Sequence, residues 1–178
     1  MSEPASPSSR PYRPAPRGVV LFADDEDAIR WIGRRYLEAD GWTVVEACDG
    51  LEALQKIGSL TGRLDLVITD LNMPRVTGRE LAEVLSVFRP GLPVLGVTGF
   101  LGAVHHDRRL PILPKPFSAG SLLHAVRLAC GVSVRLRPPR RENRSRARRL
   151  RELLTARAGE QPVDLVAAVR TLRELEVG

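Results

Sequence analysis

No apolar run in this chain approaches the roughly 20 residues that a membrane-spanning helix needs. The opening stretch MSEPASPSSRPYRPAPR also lacks the apolar core of a signal peptide, so no membrane contact is expected. Cysteine is nearly absent: Cys48 and Cys130 are the two in 178 residues, with neither a disulfide framework nor a metal-ligand spacing. They read as free thiols of a reducing cytoplasm. Aromatic residues make up 4% of the chain, and none interleave with its basic stretches as a base-stacking surface requires. Lysine is equally scarce, 2 against 25 arginines. That bias reflects base composition more than function, yet it makes each lysine worth inspection.

What is present suits a folded core. Of the residues, 43% are hydrophobic, and the length allows one ordinary domain with appendages. The net charge of +6 is unevenly spread. Residues 1–17 carry three arginines and one glutamate, and residues 18–130 carry twelve basic and fourteen acidic side chains. Residues 131–178 carry twelve arginines and six acids. The positive excess therefore belongs to the tails. Residues 1–17 read as a disordered Pro/Ser-rich arm, 18–130 as the folded domain, and 131–178 as a basic linker with a short helical extension.

Within residues 18–130 short apolar runs alternate with helical patterns. Gly18 to Ala23 suits a buried strand and is followed by four acids, Asp24 to Asp27. Ile29, Ile32, Tyr36 and Leu37 recur at spacings of three and four, as on one helical face. Asp40-Gly41 ends that helix. Trp42 to Ala47, Leu64 to Thr69, Pro93 to Val97 and Ile112-Leu113 read as four further strands. Three more helices are marked by Leu51, Leu54 and Ile57, by Leu81, Val84, Leu85 and Phe88, and by Leu122, Leu123, Val126 and Leu128. The last is capped by Ser118. This alternation predicts an α/β fold, a doubly wound five-stranded parallel sheet in the order 2-1-3-4-5.

The rest is organised around the stretch LVITDLNMPRVTG, Leu66 to Gly78. Leu66 to Thr69 fills a strand buried on both faces, and Asp70 stands at its end, where open α/β sheets hold their ligands. Asp24 and Asp25 end the first strand, Thr98 the fourth and Lys115 the fifth, so the fold gathers them on one edge. Three carboxylates at one point repel each other unless a cation sits among them. An oxygen-only donor set suits Mg²⁺, and the lack of His or Cys argues against zinc. Lys115 adds a positive charge, Thr98 a hydroxyl, and Gly99 leaves room for an incoming group. Together they suit phosphoryl transfer to an aspartate, with an aspartyl phosphate as product. Singly, each residue has a plainer explanation: helix capping for Asp24 and Asp25, a strand end for Thr98, a surface site for Lys115. Their joint order favours the site. His105-His106 sits in a polar loop and reads as surface.

Residues 18–130 resemble the receiver domain of bacterial two-component response regulators, of the flavodoxin-like, chemotaxis-regulator type. The motifs that carry the resemblance are Asp24-Asp25, VITDLNMPRVTG around Asp70, Thr98-Gly99 and Lys115-Pro116-Phe117. The resemblance implies that Asp70 accepts a phosphoryl group from a histidine kinase or histidine phosphotransfer protein. It implies Mg²⁺ held by Asp24, Asp25, Asp70 and the backbone carbonyl of Asn72. Thr98 and Lys115 would bind the phosphoryl oxygens, and Lys115-Pro116 would be a cis peptide. Two features depart from the family. Between Thr98 and Lys115 the sequence GFLGAVHHDRRLPILP leaves room for about two helical turns, where the family has a full helix. Ile112 stands where the family usually has an aromatic residue that swings inward on phosphorylation. The usual aromatic switch is therefore not expected, whereas phosphorylation depends on neither feature.

The segment from Arg135 to Arg151 holds nine arginines, with Pro138-Pro139 among them. Two short amphipathic patterns accompany and follow it, one marked by Ala147, Leu150 and Leu154, the other by Leu165, Val169, Leu172 and Leu175. Two such helices cannot bury a core alone, and they fall short of a winged-helix or helix-turn-helix output domain. The expected function is that of a phosphorelay receiver that signals through an output protein and acts on no separate substrate. A homodimer is compatible with it. The alternative is a DNA-binding transcriptional regulator using residues 131–178 to contact nucleic acid phosphates. A phosphatase or dehalogenase with an Asp nucleophile is more distant. Such enzymes place a second Asp two residues on, where this chain has Asn72.

Overall fold

The computed structural model of the chain describes residues 16–99, 110–131 and 164–177. Strands and helices alternate as β1 (Gly18–Ala23), α1 (Asp27–Ala39), β2 (Trp42–Ala47), α2 (Gly50–Ser59), β3 (Leu66–Asp70) and α3 (Gly78–Phe88). Then come β4 (Val94–Thr98), β5 (Ile112–Pro114), α4 (Ala119–Gly131) and α5 (Leu165–Val177). The five strands form one parallel sheet in the expected order, β2-β1-β3-β4-β5.

Side-chain alternation along the strands separates two apolar layers. Val20 and Phe22 of β1, with Leu66 and Ile68 of β3, pack with Leu37 of α1 and with Leu122 and Val126 of α4. Leu21 and Ala23, with Val67, face the other way, toward Leu54 and Ile57 of α2 and Leu81, Val84 and Leu85 of α3. Every residue of β3 and β4 is buried, as strands covered on both faces require. Because all strands run the same way, their C-terminal ends share one edge.

Several boundaries differ from expectation for local reasons. β3 starts at Leu66, not Leu64, because the Asp65 carboxylate turns back to accept the Val19 N–H at 3.0 Å. β4 runs one residue later, from Val94 to Thr98, since Pro93 has no N–H to give a ladder. Leu128, expected on the buried face of the last helix, is 48% exposed, and Ala129 is buried with Leu122 and Val126 instead. Those three lie at i, i+4 and i+7, and Leu128 falls off that stripe.

The second amphipathic pattern of the extension is helical and does not stand apart. α5 packs on α2 and α3, with Leu165, Ala168 and Val169 buried in the same layer. Asp164 starts it, its carboxylate accepting the Val166 and Ala167 N–H groups at 2.9 and 3.2 Å. The arm before residue 16, the loop bearing Gly102, His105 and His106, and the arginine-rich linker with Ala147, Leu150 and Leu154 lie outside the described residues. Among the described residues no helix is long and apolar enough to cross a membrane.

Candidate functional site

The loops that leave β1, β3 and β5 build the site. Asp24 follows β1 and is fully buried; its Oδ1 accepts the Glu26 N–H at 3.0 Å, which sets the entry into α1. Asp70 closes β3 and is 6% exposed. Its Oδ1 accepts the Asn72 N–H at 2.9 Å, and its Oδ2 lies 2.6 Å from Lys115 Nζ. Lys115 leaves β5 through a cis peptide bond to Pro116, and its N–H donates to the Thr98 carbonyl at 2.8 Å. Thr98 is buried at the end of β4, with Asn72 Nδ2 at 3.5 Å from its hydroxyl. Asp25 is exposed at the rim. Asp24, Asp25 and Asp70 each offer a carboxylate oxygen within 4.8 Å of the others.

The structure thus brings together Asp24, Asp25, Asp70, Asn72, Thr98 and Lys115. It also adds a residue that sequence reasoning passed over. Glu26, the N-cap of α1, places Oε1 3.0 Å from Lys115 Nζ. It was visible as part of the acidic run, but its reach across to the β5 lysine depends on the fold.

The electrostatics follow from this crowding. Burial alone would depress the Lys115 ammonium, but the surrounding carboxylates of Asp24, Asp70 and Glu26 outweigh it and raise its pKa. Lys115 is therefore charged at any physiological pH. Burial raises the Asp24 carboxyl pKa, against the pull of Lys115 and the Glu26 N–H. Asp24 Oδ2 sits 2.8 Å from Lys115 Nζ but is not aligned with it as a hydrogen bond. This buried oxygen keeps unused acceptor capacity. The lysine ammonium is thus itself a cation among the three carboxylates, and the donor set is all oxygen, as a hard divalent cation prefers.

Two supporting contacts fix the geometry. Gly78 opens α3 where an added Cβ would lie 2.0 Å from the Asp70 carbonyl oxygen, so no side chain fits between α3 and the end of β3. Arg75, in the loop after Asp70, has φ of 63°. Its guanidinium pairs with the buried carboxylate of Asp49, which caps α2 by accepting the Glu52 N–H at 2.9 Å.

The profile of the response regulator receiver domain matches residues 20–127. The chain belongs to that family. The sensor kinase CckA of Brucella abortus is 37% identical over 114 residues, 61% of this chain and 12% of that protein. The response regulator MprA of Mycobacterium ulcerans is 36% identical over 113 residues, 61% of this chain and 48% of that protein. This chain therefore spans no more than about half of either relative. Among solved structures, the response regulator TrrA of Thermotoga maritima, in complex with Mg²⁺ and BeF, is 28% identical with a TM-score of 0.57. That match covers 63% of this chain and 98% of TrrA.

Proposed function

We propose that this receiver carries its signal as an aspartyl phosphate on Asp70. The placement of Asp70 is the observation that supports the reading most: nearly buried at the end of the central strand, one oxygen on Lys115, the other on the Asn72 N–H. In the transfer, an Asp70 carboxylate oxygen attacks the phosphorus of a phosphohistidine on a histidine kinase or histidine phosphotransfer protein. The O–P bond forms as the P–N bond breaks, and the electron pair leaves with the imidazole nitrogen. Lys115 pairs with the phosphoryl oxygens and Thr98 donates its hydroxyl to them.

Asp24, Asp25, Asp70 and the backbone carbonyl of Asn72 would hold Mg²⁺. The three clustered carboxylates and the unaligned Asp24 Oδ2 fit that ion. When bound, Mg²⁺ neutralises charge on the transferring phosphoryl oxygens. Lys115 and the N–H of Asn72 hold the Asp70 carboxylate in one orientation, and alignment is most of what this loose transition state asks of a protein. The receiver acts on its own Asp70 and has no separate substrate; its output is contact with a partner protein. Incubating the full chain with acetyl phosphate and Mg²⁺ should attach one phosphoryl group, and Asp70→Asn should attach none. Full labelling of that variant would overturn the assignment.

A further inference from the structure

The loop that begins at Asp70 is held from outside by the C-terminal helix. Arg173 of α5 donates from Nη2 to the carbonyl of Arg75 and from Nε to Glu80 Oε1 at 2.6 Å. Arg75 has a left-handed backbone, a conformation an L side chain rarely adopts without outside support. Its side chain is anchored on Asp49 of the α2 cap and its carbonyl on α5. Glu80 is also the partner of Thr77 in the capping box that starts α3. Leu165, Ala168 and Val169 of α5 are buried in the layer that includes Val76 of the same loop, with Leu51 of α2 packed against it. The α2 cap, the loop, the start of α3 and α5 therefore form one closed ring of contacts, and Asp70 is where the loop enters it.

We propose that α5 is a clasp whose docking in the α2–α3 groove competes with loading of Asp70. This rests on the phosphoacceptor reading above. Phosphorylation converts one Asp70 oxygen to an ester and adds negative charge. On this proposal the hydrogen bond from Asn72 N–H and the Lys115 pair re-form around the new group and carry residues 71–77 with them. The ring resists that shift while Arg173 holds Arg75 and Glu80. Loading therefore loosens α5 and exposes the apolar groove of Leu51 and Val76 beneath it. By thermodynamic reciprocity, loosening α5 favours loading by the same factor.

The test uses the full chain with beryllofluoride and Mg²⁺ as the stable mimic of phosphorylation. Hydrogen exchange followed by mass spectrometry should show the amides of α5 exchanging about fivefold faster or more in the loaded protein. Arg173→Ala, an exposed position, should bind beryllofluoride about fivefold more tightly or more than the parent chain. Ala168→Glu, which detaches the helix by a separate route, should do the same. Binding at Asp70 with unchanged or slower α5 exchange, and unchanged affinity in both variants, would overturn the clasp alone. No binding of beryllofluoride, or equal binding by Asp70→Asn, would overturn the phosphoacceptor reading and the clasp with it.

Discussion

Burial and charge pull Lys115 in opposite directions, and charge wins. Its side chain is 10% exposed, yet three carboxylate oxygens lie within 3.0 Å of Nζ. An ammonium so placed is committed to the site: it offsets the repulsion among Asp24, Asp70 and Glu26 and stays protonated throughout the neutral range. Lys115→Ala should leave Asp70 able to accept phosphate but slow labelling by acetyl phosphate on the order of 10²-fold, the loss typical for one electrostatic donor to a transition state. The measurement is the labelling rate at saturating Mg²⁺. A second residue-scale prediction concerns space instead of charge. Gly78→Ala would put a methyl 2.0 Å from the Asp70 carbonyl and 2.8 Å from Thr69 Oγ1. The backbone of α3 or β3 must give, at a cost of about 1–3 kcal/mol. The urea midpoint should fall accordingly, and labelling should slow because Asp70 moves with the strand.

At the scale of elements, the start of α3 joins folding to the candidate site. Thr77 Oγ1 accepts the Glu80 N–H at 3.2 Å, and Glu80 Oε2 accepts the Thr77 N–H at 2.8 Å. Burial would raise the Glu80 carboxyl, but Arg173 and the Thr77 N–H and hydroxyl outweigh it and hold it below its ordinary 4.5. A group whose folded value is depressed contributes its full stabilisation above the ordinary value and loses it as pH falls through the folded one. Glu80→Gln should therefore cost about 1 kcal/mol at neutral pH, allowing for the half-exposed Arg173 partner. The gap between its urea midpoint and the parent's should narrow as the pH drops below about 4.5. A gap independent of pH would show that the Glu80 charge contributes nothing. Element identities in this region were legible because the strand runs are apolar and short and the helices carry stripes at three and four. Boundaries were less so. β3 lost two residues to a side chain, Asp65, whose partner Val19 lies on another strand. Leu128 was misplaced because several faces of its helix carry apolar residues, so periodicity alone did not choose between them. The docking of α5 could not be read at all: amphipathicity announces a buried face, not the surface that buries it.

Over the whole molecule, the residues of the candidate site come from the ends of β1, β3, β4 and β5, brought to one edge by parallel connection. That is why Asp24, Asp25, Asp70, Thr98 and Lys115 were legible once the strand order was inferred, whereas Glu26 and Arg173 were not. Their roles depend on which side chain faces which across the fold. The same assembly sets the energetic character of that edge. Asp24, Glu26 and Asp70 share Lys115, and Asp25 lies beside Asp24 and Asp70, so the edge carries a surplus of negative charge that folding must hold together. A cation that binds there and not to the unfolded chain must stabilise the whole domain by mass action. Mg²⁺ at about ten times its Kd should add about 1.4 kcal/mol, seen as a thermal midpoint a few degrees higher and reversed by a chelator. Asp25→Asn removes one of the like charges at an exposed position, so without Mg²⁺ it should melt no lower than the parent chain. With Mg²⁺ it should show little of the rise. A full Mg²⁺ response in Asp25→Asn would place the ion elsewhere, and no response in the parent chain would remove it from the site.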